Sequence, residues 1–380
     1  MRSLSLNLGL VASVFCLSAN VYAAETTAQT TSKIEIPKID LNFSGFVDLR
    51  FRDVNSSVQG QGRGAESGFL VEDAAFYLSK KSNKLNLLID LPFSRQKEDA
   101  AGATGAVTPQ LYKSSGPDLE FATRKAQVVA SYQALEWLKV SLGQFDTIFG
   151  YELNDSKDRF FGQTGLVYNY ALPVTHVGVL GEIVSHGFTL KLMAANPNGR
   201  GSRDNTDNTG QSTTNGEDNT EYGATIGRSG NIWRAQLGYA TRPRLAYDVT
   251  RKQRTLFDVV AGVTLFEHLN VDAELALVND PAKDTDGDGD YDTGGEGQGY
   301  MLHVTYDLND QWKVGGRYEI ADNRLDSLFK QTQAWATGVH YQFESDASLR
   351  GEFVQYDLDP GHGVANQRLS VFAIGGLVTF

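Results

Sequence analysis

Apolar and polar residues alternate along most of the chain after residue 38, which is the pattern of strands with two different faces. The first such segment covers residues 39–51, and its polar face is interrupted only at Phe46. The other face carries Ile39, Leu41, Phe43, Gly45, Val47, Leu49 and Phe51. Because strand side chains point alternately to opposite sides, a period of two over this length predicts a strand longer than most strands of soluble proteins.

The same alternation recurs along the chain and predicts sixteen strands. They span residues 39–53, 69–80, 84–93, 119–133, 138–145, 176–184, 187–196, 221–228, 231–241, 254–265, 269–278, 299–306, 311–320, 333–343, 348–356 and 367–380. The connections are alternately short and long, with seven turns and eight loops. A bacterial outer-membrane barrel has short periplasmic turns and long extracellular loops, and an even strand number returns both termini to the periplasm.

A membrane barrel also explains the two faces. In lipid, every backbone N–H and C=O group must be paired within the protein, so strands close into a barrel that is apolar outside and polar inside. Tyr300 and Tyr306 lie at strand ends, as interfacial aromatic girdles require. The terminal Phe380 resembles the signal that the outer-membrane assembly machinery reads. A soluble β-sandwich, barrel or β-helix also has alternating strands, but it predicts neither the alternating connection lengths nor the aromatic chain end.

The sequence therefore predicts an all-β fold, a transmembrane antiparallel β-barrel of about sixteen strands in the bacterial outer membrane. Its expected surroundings are outer-membrane lipids and lipopolysaccharide.

The N-terminus has the parts of a secretory signal peptide. Arg2 provides a positive charge, residues 4–17 are apolar, and Val21 and Ala23 mark a cleavage site. We expect residues 1–23 to be the signal peptide, residues 24–38 a periplasmic N-terminal leader and residues 39–380 the barrel. Cys16 is the only cysteine, so the mature chain forms no disulfide.

The composition argues against other classes of protein. The formal net charge of −12 disfavours nucleic-acid binding. The mature chain lacks a cysteine nucleophile, its histidines show no metal-ligand spacing, and it has no phosphate-binding glycine motif. We therefore expect no enzymatic activity and no required cofactor.

Sixteen strands enclose a lumen too wide for wall side chains to fill, so size selection needs a loop that folds inward. The longest connection, residues 146–175, is the candidate for this constriction, and an ordinary exposed loop is the alternative. Its charged residues are Asp146, Glu152, Asp155, Lys157, Asp158 and Arg159.

Charged residues on the inward faces are candidates for the pore wall. They are Asp48, Arg50, Arg52, Lys139, Lys191, Arg234, Asp272, Glu274, Lys313, Arg317, Glu319, Arg350 and Glu352. Rings of charge set the ion preference of a pore, but here neither sign dominates. The net acidity of the chain leans toward a mild cation preference.

Three segments resemble a known family. Residues 143–152 (GQFDTIFGYE), residues 173–178 (PVTHVG) and residues 44–48 (SGFVD) are similar to the beta-barrel porin-2 (OmpL-like) family. Phosphate-selective porins are similar in the same region. Between Arg159 and Gly165 the chain departs from the Asn/Ser-rich aromatic stretch expected of the family. The resemblance implies an outer-membrane porin.

Residues 284–292 (DTDGDGDYD) match the start of a calcium-binding loop. Oxygen ligands at alternate positions with glycine at the sixth suit a hard cation. The candidate ligands are Asp284, Asp286, Asp288, Asp290 and Asp292. Gly295 stands at the twelfth position, where such loops have glutamate, so a solvated acidic loop is the alternative interpretation.

The leading functional hypothesis is a porin for passive diffusion of ions and small hydrophilic solutes. A substrate-selective channel for anions, sugars or peptides is the first alternative, and a structural or adhesive barrel closed by its own loops is the second. Trimers are common among sixteen-strand porins, which leaves a homotrimer open.

Overall fold

The structure is a computed structural model that describes residues 41–58, 64–94, 120–121, 126–196, 220–242, 254–280, 295–322, 331–359 and 367–380. The signal peptide and leader expected over residues 1–23 and 24–38 lie outside these ranges and stay predictions. Among the described residues, no helix is long and apolar enough to cross a membrane.

Antiparallel strands make up nearly all of the described chain. They are β1 (Asn42–Val58), β2 (Gly64–Lys81), β3 (Leu85–Ser94), β4 (Glu120–Phe121), β5 (Gln127–Leu135), β6 (Leu138–Asp146), β7 (Thr175–Ser185), β8 (Phe188–Ala195), β9 (Glu221–Ser229), β10 (Trp233–Arg242), β11 (Arg254–Leu265), β12 (Leu269–Asp280), β13 (Gly295–Asp307), β14 (Trp312–Asp322), β15 (Gln331–Glu344), β16 (Ala347–Asp359) and β17 (Gln367–Thr379). Between β6 and β7 lie a 3-10 turn, Ser156–Asp158, and a short helix α1, Leu166–Tyr170.

The strands form one closed barrel with sixteen strand positions. Both β4 and β5 pair with β3, so these two segments share one position in the barrel. The barrel closes where β1 pairs antiparallel with β17, from Phe46 opposite Thr379 to Val58 opposite Gln367.

The two faces of each strand differ as the sequence pattern predicts. On β12 the side chains of Asp272 and Glu274 are buried inside the barrel, whereas Ala273 between them is exposed on the outside. Large apolar side chains such as Leu142 and Ile374 are exposed on the outer surface. The outer surface is therefore suited to lipid, in which an apolar side chain needs no cover from protein.

All the predicted strands are present, but several of their ends differ from the prediction. β1 spans Asn42–Val58 rather than residues 39–53, and β13 begins at Gly295 rather than residue 299. β2 begins at Gly64 rather than residue 69, because its first residues pair with the end of β1 although their sequence lacks an apolar alternation. The segment predicted as one strand over 119–133 is divided into β4 and β5.

Candidate pore and its internal loop

The segment between β6 and β7, residues 147–174, lies inside the barrel, and we call it the inner loop. It contacts inward side chains on strands that are distant in sequence. The backbone N–H of Ser156 donates to Asp73 on β2, at 3.0 Å, and Nη1 of Arg350 on β16 donates to the Ser156 carbonyl, at 2.7 Å. The loop is thus attached to opposite ends of the sequence at once.

Apolar packing holds much of the inner loop against the wall. Phe149 lies with Met193 and Ala240 in one cluster, which also includes Val167 and Leu172 of the loop. A second cluster joins loop residues to the inner face of β14–β17: Phe161, Leu166, Ala321, Ala334, Ala336, Val354, Tyr356, Leu369 and Val371. This part of the inner wall is apolar and is covered by protein rather than by water.

Buried carboxylates of the wall accept hydrogen bonds from backbone N–H groups of the loop. The pairs are Gly150 with Asp258 at 2.8 Å, Tyr151 with Glu274 at 3.2 Å, Gly162 with Glu352 at 2.9 Å and Val167 with Glu319 at 3.3 Å. The loop backbone therefore supplies one donor to each of these buried carboxylates.

Arg317 is the centre of one buried ionic cluster. Its side chain is 2% exposed and forms ion pairs with Glu152 of the loop and, through Nε at 2.9 Å, with Glu319. Its Nη1 also donates to the carbonyl of Gln163 at 3.2 Å, and its guanidinium lies 4.9 Å from the centre of the Phe161 ring. A single wall cation thus connects a loop carboxylate, a loop carbonyl and a loop aromatic ring.

A second buried cluster lies on β1 and β16. Arg50 pairs with Asp48 at 2.7 Å and with Glu352 at 2.7 Å, and all three side chains are at most 4% exposed. Gly162 of the loop lies against the Arg50 guanidinium, so that a Cβ at this position would be 1.7 Å from Nη2. A side chain here would displace the guanidinium from Asp48 and Glu352, so close approach of the loop favours glycine.

Hydrogen bonds within the loop fix its own shape. Arg159 is buried and donates to the carbonyls of Leu153, Asn154 and Gly162, at 2.8, 2.8 and 2.6 Å. Burial raises the pKa of Tyr168 above its ordinary value, so its hydroxyl stays protonated and donates to Asn154. These bonds close residues 153–162 into a compact unit.

The charged candidates of the loop fall into two groups. Glu152, Asp155 and Arg159 are buried, and Asp155 accepts a 2.6 Å hydrogen bond from the Tyr77 hydroxyl. Asp146 is half-buried at the end of β6 and accepts a hydrogen bond from Asn154. Lys157 and Asp158 pair with each other at 2.5 Å and are the more exposed members.

The wall candidates all lie on strands, and they differ in exposure. The buried ones include both signs: Asp48, Arg50, Arg52, Asp272, Glu274, Arg317, Glu319, Arg350 and Glu352. The four that keep substantial exposure are all basic: Lys139, Lys191, Arg234 and Lys313. All five acidic candidates of the wall are therefore buried together with four of the eight basic ones, and the accessible candidates are all basic.

Several residues that contact the loop were not among the candidate site residues. Asp73 was missed because a bulge at Glu72 shifts the alternation of β2, so its inward face cannot be read with a constant period. His303 contacts the loop through a hydrogen bond of 2.8 Å with the Tyr151 hydroxyl. The ring of His340 stacks on the ring of Phe160, with 4.2 Å between the ring centres. Apolar residues on the inward face of the later strands were the signal that could have indicated this contact.

A cavity of about 540 Å³ lies between the inner loop and the wall. Its loop side includes Tyr151, Leu153 and Phe160, and its wall side includes residues of β8, β9 and β10 close to their periplasmic turns. It is large enough to hold several water molecules or a small solute.

The calcium-loop candidates over residues 284–292 lie outside the described residues, so that site stays a prediction. Within the described ranges, no group of three or more histidine, cysteine, aspartate or glutamate side chains is arranged to hold a metal ion.

The sequence matches the family described as "Putative beta-barrel porin-2, OmpL-like" over residues 40–378. The chain belongs to this family. It is an outer-membrane porin, and the bacterial outer membrane is its location. The match confirms the family resemblance seen in the sequence. No curated protein matches the chain in sequence.

Solved outer-membrane channels share the fold at low sequence identity. The outer membrane channel DcaP of Acinetobacter baumannii is 12% identical with a TM-score of 0.58, covering 90% of this chain and 97% of that one. Salmonella typhi OmpF, in a complex with daunomycin, is 12% identical with a TM-score of 0.57 and the same coverage. The trimer form of Vibrio cholerae OmpT is 16% identical with a TM-score of 0.50, covering 90% of this chain and 99% of that one. These likenesses, with the strand pairing, confirm the predicted sixteen-strand antiparallel barrel.

Proposed function

We propose that this porin conducts ions and small hydrophilic solutes by passive diffusion, and that the inner loop sets the width of the passage. The observation that carries the proposal is the attachment of the loop inside the barrel by both apolar packing and buried hydrogen bonds. A sixteen-strand barrel without such a loop encloses a wide aqueous channel. A loop fixed in the lumen narrows that channel to a defined size.

The passage is expected next to the part of the wall where charged side chains remain accessible. Lys139 on β6 and Lys191 on β8 keep partial exposure, and the cavity beside Lys191 extends from the loop toward the periplasmic turns. By contrast, the inward face of β14–β17 is covered by the loop. On the periplasmic side of the Met193 and Ala240 contacts, solutes would therefore pass between the loop and β8–β10.

A barrel closed by its own loop is the second candidate function. It is favoured by the density of contacts between the loop and the wall, including the buried clusters around Arg50 and Arg317. In that case the protein would fold and insert but conduct no current.

Single-channel recording of the refolded mature protein in a planar bilayer separates the two candidates. Stable open steps support the diffusion pore, and silence from protein whose folding is shown by heat-modifiable gel migration supports the closed barrel. Deletion of residues 152–165 should increase the step size, because these residues lie in the lumen. As a control, deletion of residues 203–214, in the connection between β8 and β9, should leave the step size unchanged. Equal conductance of wild type and the 152–165 deletion would refute the constriction.

The family and the fold favour a channel over an enzyme, and we propose that the protein catalyses no reaction. We also propose a homotrimer in outer-membrane lipid, since OmpT of Vibrio cholerae, which has the same fold, has a trimer form. Light scattering of the detergent-solubilised protein would measure the number of subunits.

A further inference from the structure

The cavity of about 540 Å³ beside the inner loop has an unequal distribution of accessible charge. Lys191 projects into it from β8, is half-buried, and forms no ion pair with any described residue. Arg234 projects from β10, and its side chain remains 51% exposed although it pairs with Asp272 at 2.5 Å. Two cations therefore face the cavity from neighbouring parts of the wall.

The carboxylates on the loop side of the cavity are already paired. Glu152 is 8% exposed and bonded to Arg317 and to the Gly165 N–H, the latter at 2.6 Å. Asp158 pairs with Lys157. Lys191 thus keeps a charge that no carboxylate of the described residues pairs with, and a solute beside it meets a positive potential.

The loop side also offers non-polar surface to a solute. Leu153 is 53% exposed although it lies inside the barrel, and it lines the cavity together with Tyr151. The Tyr151 ring is held in place by its hydroxyl bond to His303, at 2.8 Å, and by the Arg234 guanidinium 5.3 Å from its centre. Leu153 and the Tyr151 ring together provide the non-polar surface that small-molecule sites combine with a few polar groups.

We propose that this cavity is a selectivity site for small organic anions, in particular alkyl or aryl carboxylates. Lys191 and Arg234 receive the carboxylate, and Leu153 and Tyr151 contact the non-polar part of the solute. The inference rests on the proposed diffusion function, because only an open passage brings solutes to the cavity. It departs from the cation preference suggested by the net charge of the chain, since the acidic wall candidates are buried beneath the loop.

The first test is the reversal potential of the mature protein in a planar bilayer under a potassium chloride gradient. We expect preference for chloride over potassium. Lys191→Gln should lower the anion-to-cation permeability ratio about sixteenfold, because losing one unit charge about 5 Å from an ion in water lowers anion entry and raises cation entry by about fourfold each. Lys84→Gln, in the exposed turn between β2 and β3, is the matched control and should leave the ratio unchanged.

The second test uses benzoate as a blocker of the chloride current, with benzyl alcohol as its uncharged analogue. Benzoate should reduce the current and benzyl alcohol should not. Lys191→Gln and Leu153→Ser should each weaken the block several-fold, because one removes the charge and the other the non-polar contact. Both residues are accessible, and neither change leaves a buried partner charge behind.

The outcomes separate this inference from the function on which it rests. Open channels that prefer potassium, or a benzoate block that is unchanged in Lys191→Gln, would overturn the anion site and leave the diffusion pore intact. Folded protein that never opens would overturn the diffusion pore and, with it, the anion site.

Discussion

Replacement of Arg317 by methionine is expected to detach the inner loop from the wall. Arg317 is buried on β14, between Glu152 of the loop and Glu319 of its own strand. Methionine fills a similar volume but cannot pair with either carboxylate, and it donates no bond to the Gln163 carbonyl. The substitution therefore acts on the contact between loop and wall rather than on the pairing of strands.

The size of the effect follows from the two carboxylates that remain. Removing one partner of a buried ion pair costs about 3–5 kcal/mol, because the remaining charge is left without a counter-charge. Here the lower end of that range is expected, since Glu152 still accepts the Gly165 N–H and Glu319 still accepts the Val167 N–H. A cost of about 3 kcal/mol shifts the balance between attached and released loop by roughly two orders of magnitude.

Trypsin cleavage gives a direct measure of loop release. The loop contains two cleavage sites, at Lys157 and at the buried Arg159, and both are expected to resist cleavage while the loop is attached. In Arg317→Met, cleavage within the loop should accelerate and single-channel conductance should increase. Arg368→Met is the control, because Arg368 is 61% exposed and its ion pair with Asp357 contributes little.

The reasoning would be refuted if Arg317→Met had the same cleavage rate and conductance as the wild type in a barrel that is shown to be folded. Such a result would mean that the apolar clusters hold the loop without help from the buried charges.

Other changes test separate parts of the structure. Gly143→Ala should lower the melting temperature of the barrel, which circular dichroism on heating measures. The reason is that Gly143 has a φ of 131° and that a Cβ would lie 1.9 Å from a carbonyl oxygen of β5. Phe160→Ala should raise conductance and lower stability, because it removes the ring that stacks on His340; recordings and thermal melts check both. Deletion of Phe380 should reduce the amount of folded protein in the outer membrane, because its backbone pairs with Gly45 at 2.9 and 3.0 Å across the closing strands; heat-modifiable gel migration of membrane fractions measures it.

The alternating pattern was sufficient to predict the barrel, because each membrane strand has to present one face to lipid. On β12, the apolar and polar positions alternate from Leu269 to Leu275, and the structure has the predicted faces. The pattern was less informative on β2, where one bulged residue reverses the inward and outward positions.

The contacts of the inner loop could not be predicted from local sequence. Ser156 and Arg350 are 194 residues apart in the chain, and no periodicity links them. The apolar inward residues Val354 and Tyr356 pack against the loop. In the sequence, however, an inward apolar residue that contacts a loop cannot be distinguished from one that fills the interior of a smaller barrel. Which charged residues are accessible depends on the loop, so the sequence alone did not separate Lys191 from Arg317.

The attachment of the inner loop has a consequence for the order of assembly. The loop precedes β7 in the chain, yet its partners Glu319, Arg350 and Glu352 belong to β14 and β16, which are synthesised and delivered later. Until those strands arrive, the apolar side chains of Phe161 and Leu166 have no partner and are a hazard for aggregation. Docking of the loop is therefore expected to be a late event in biogenesis, close in time to the meeting of β1 and β17.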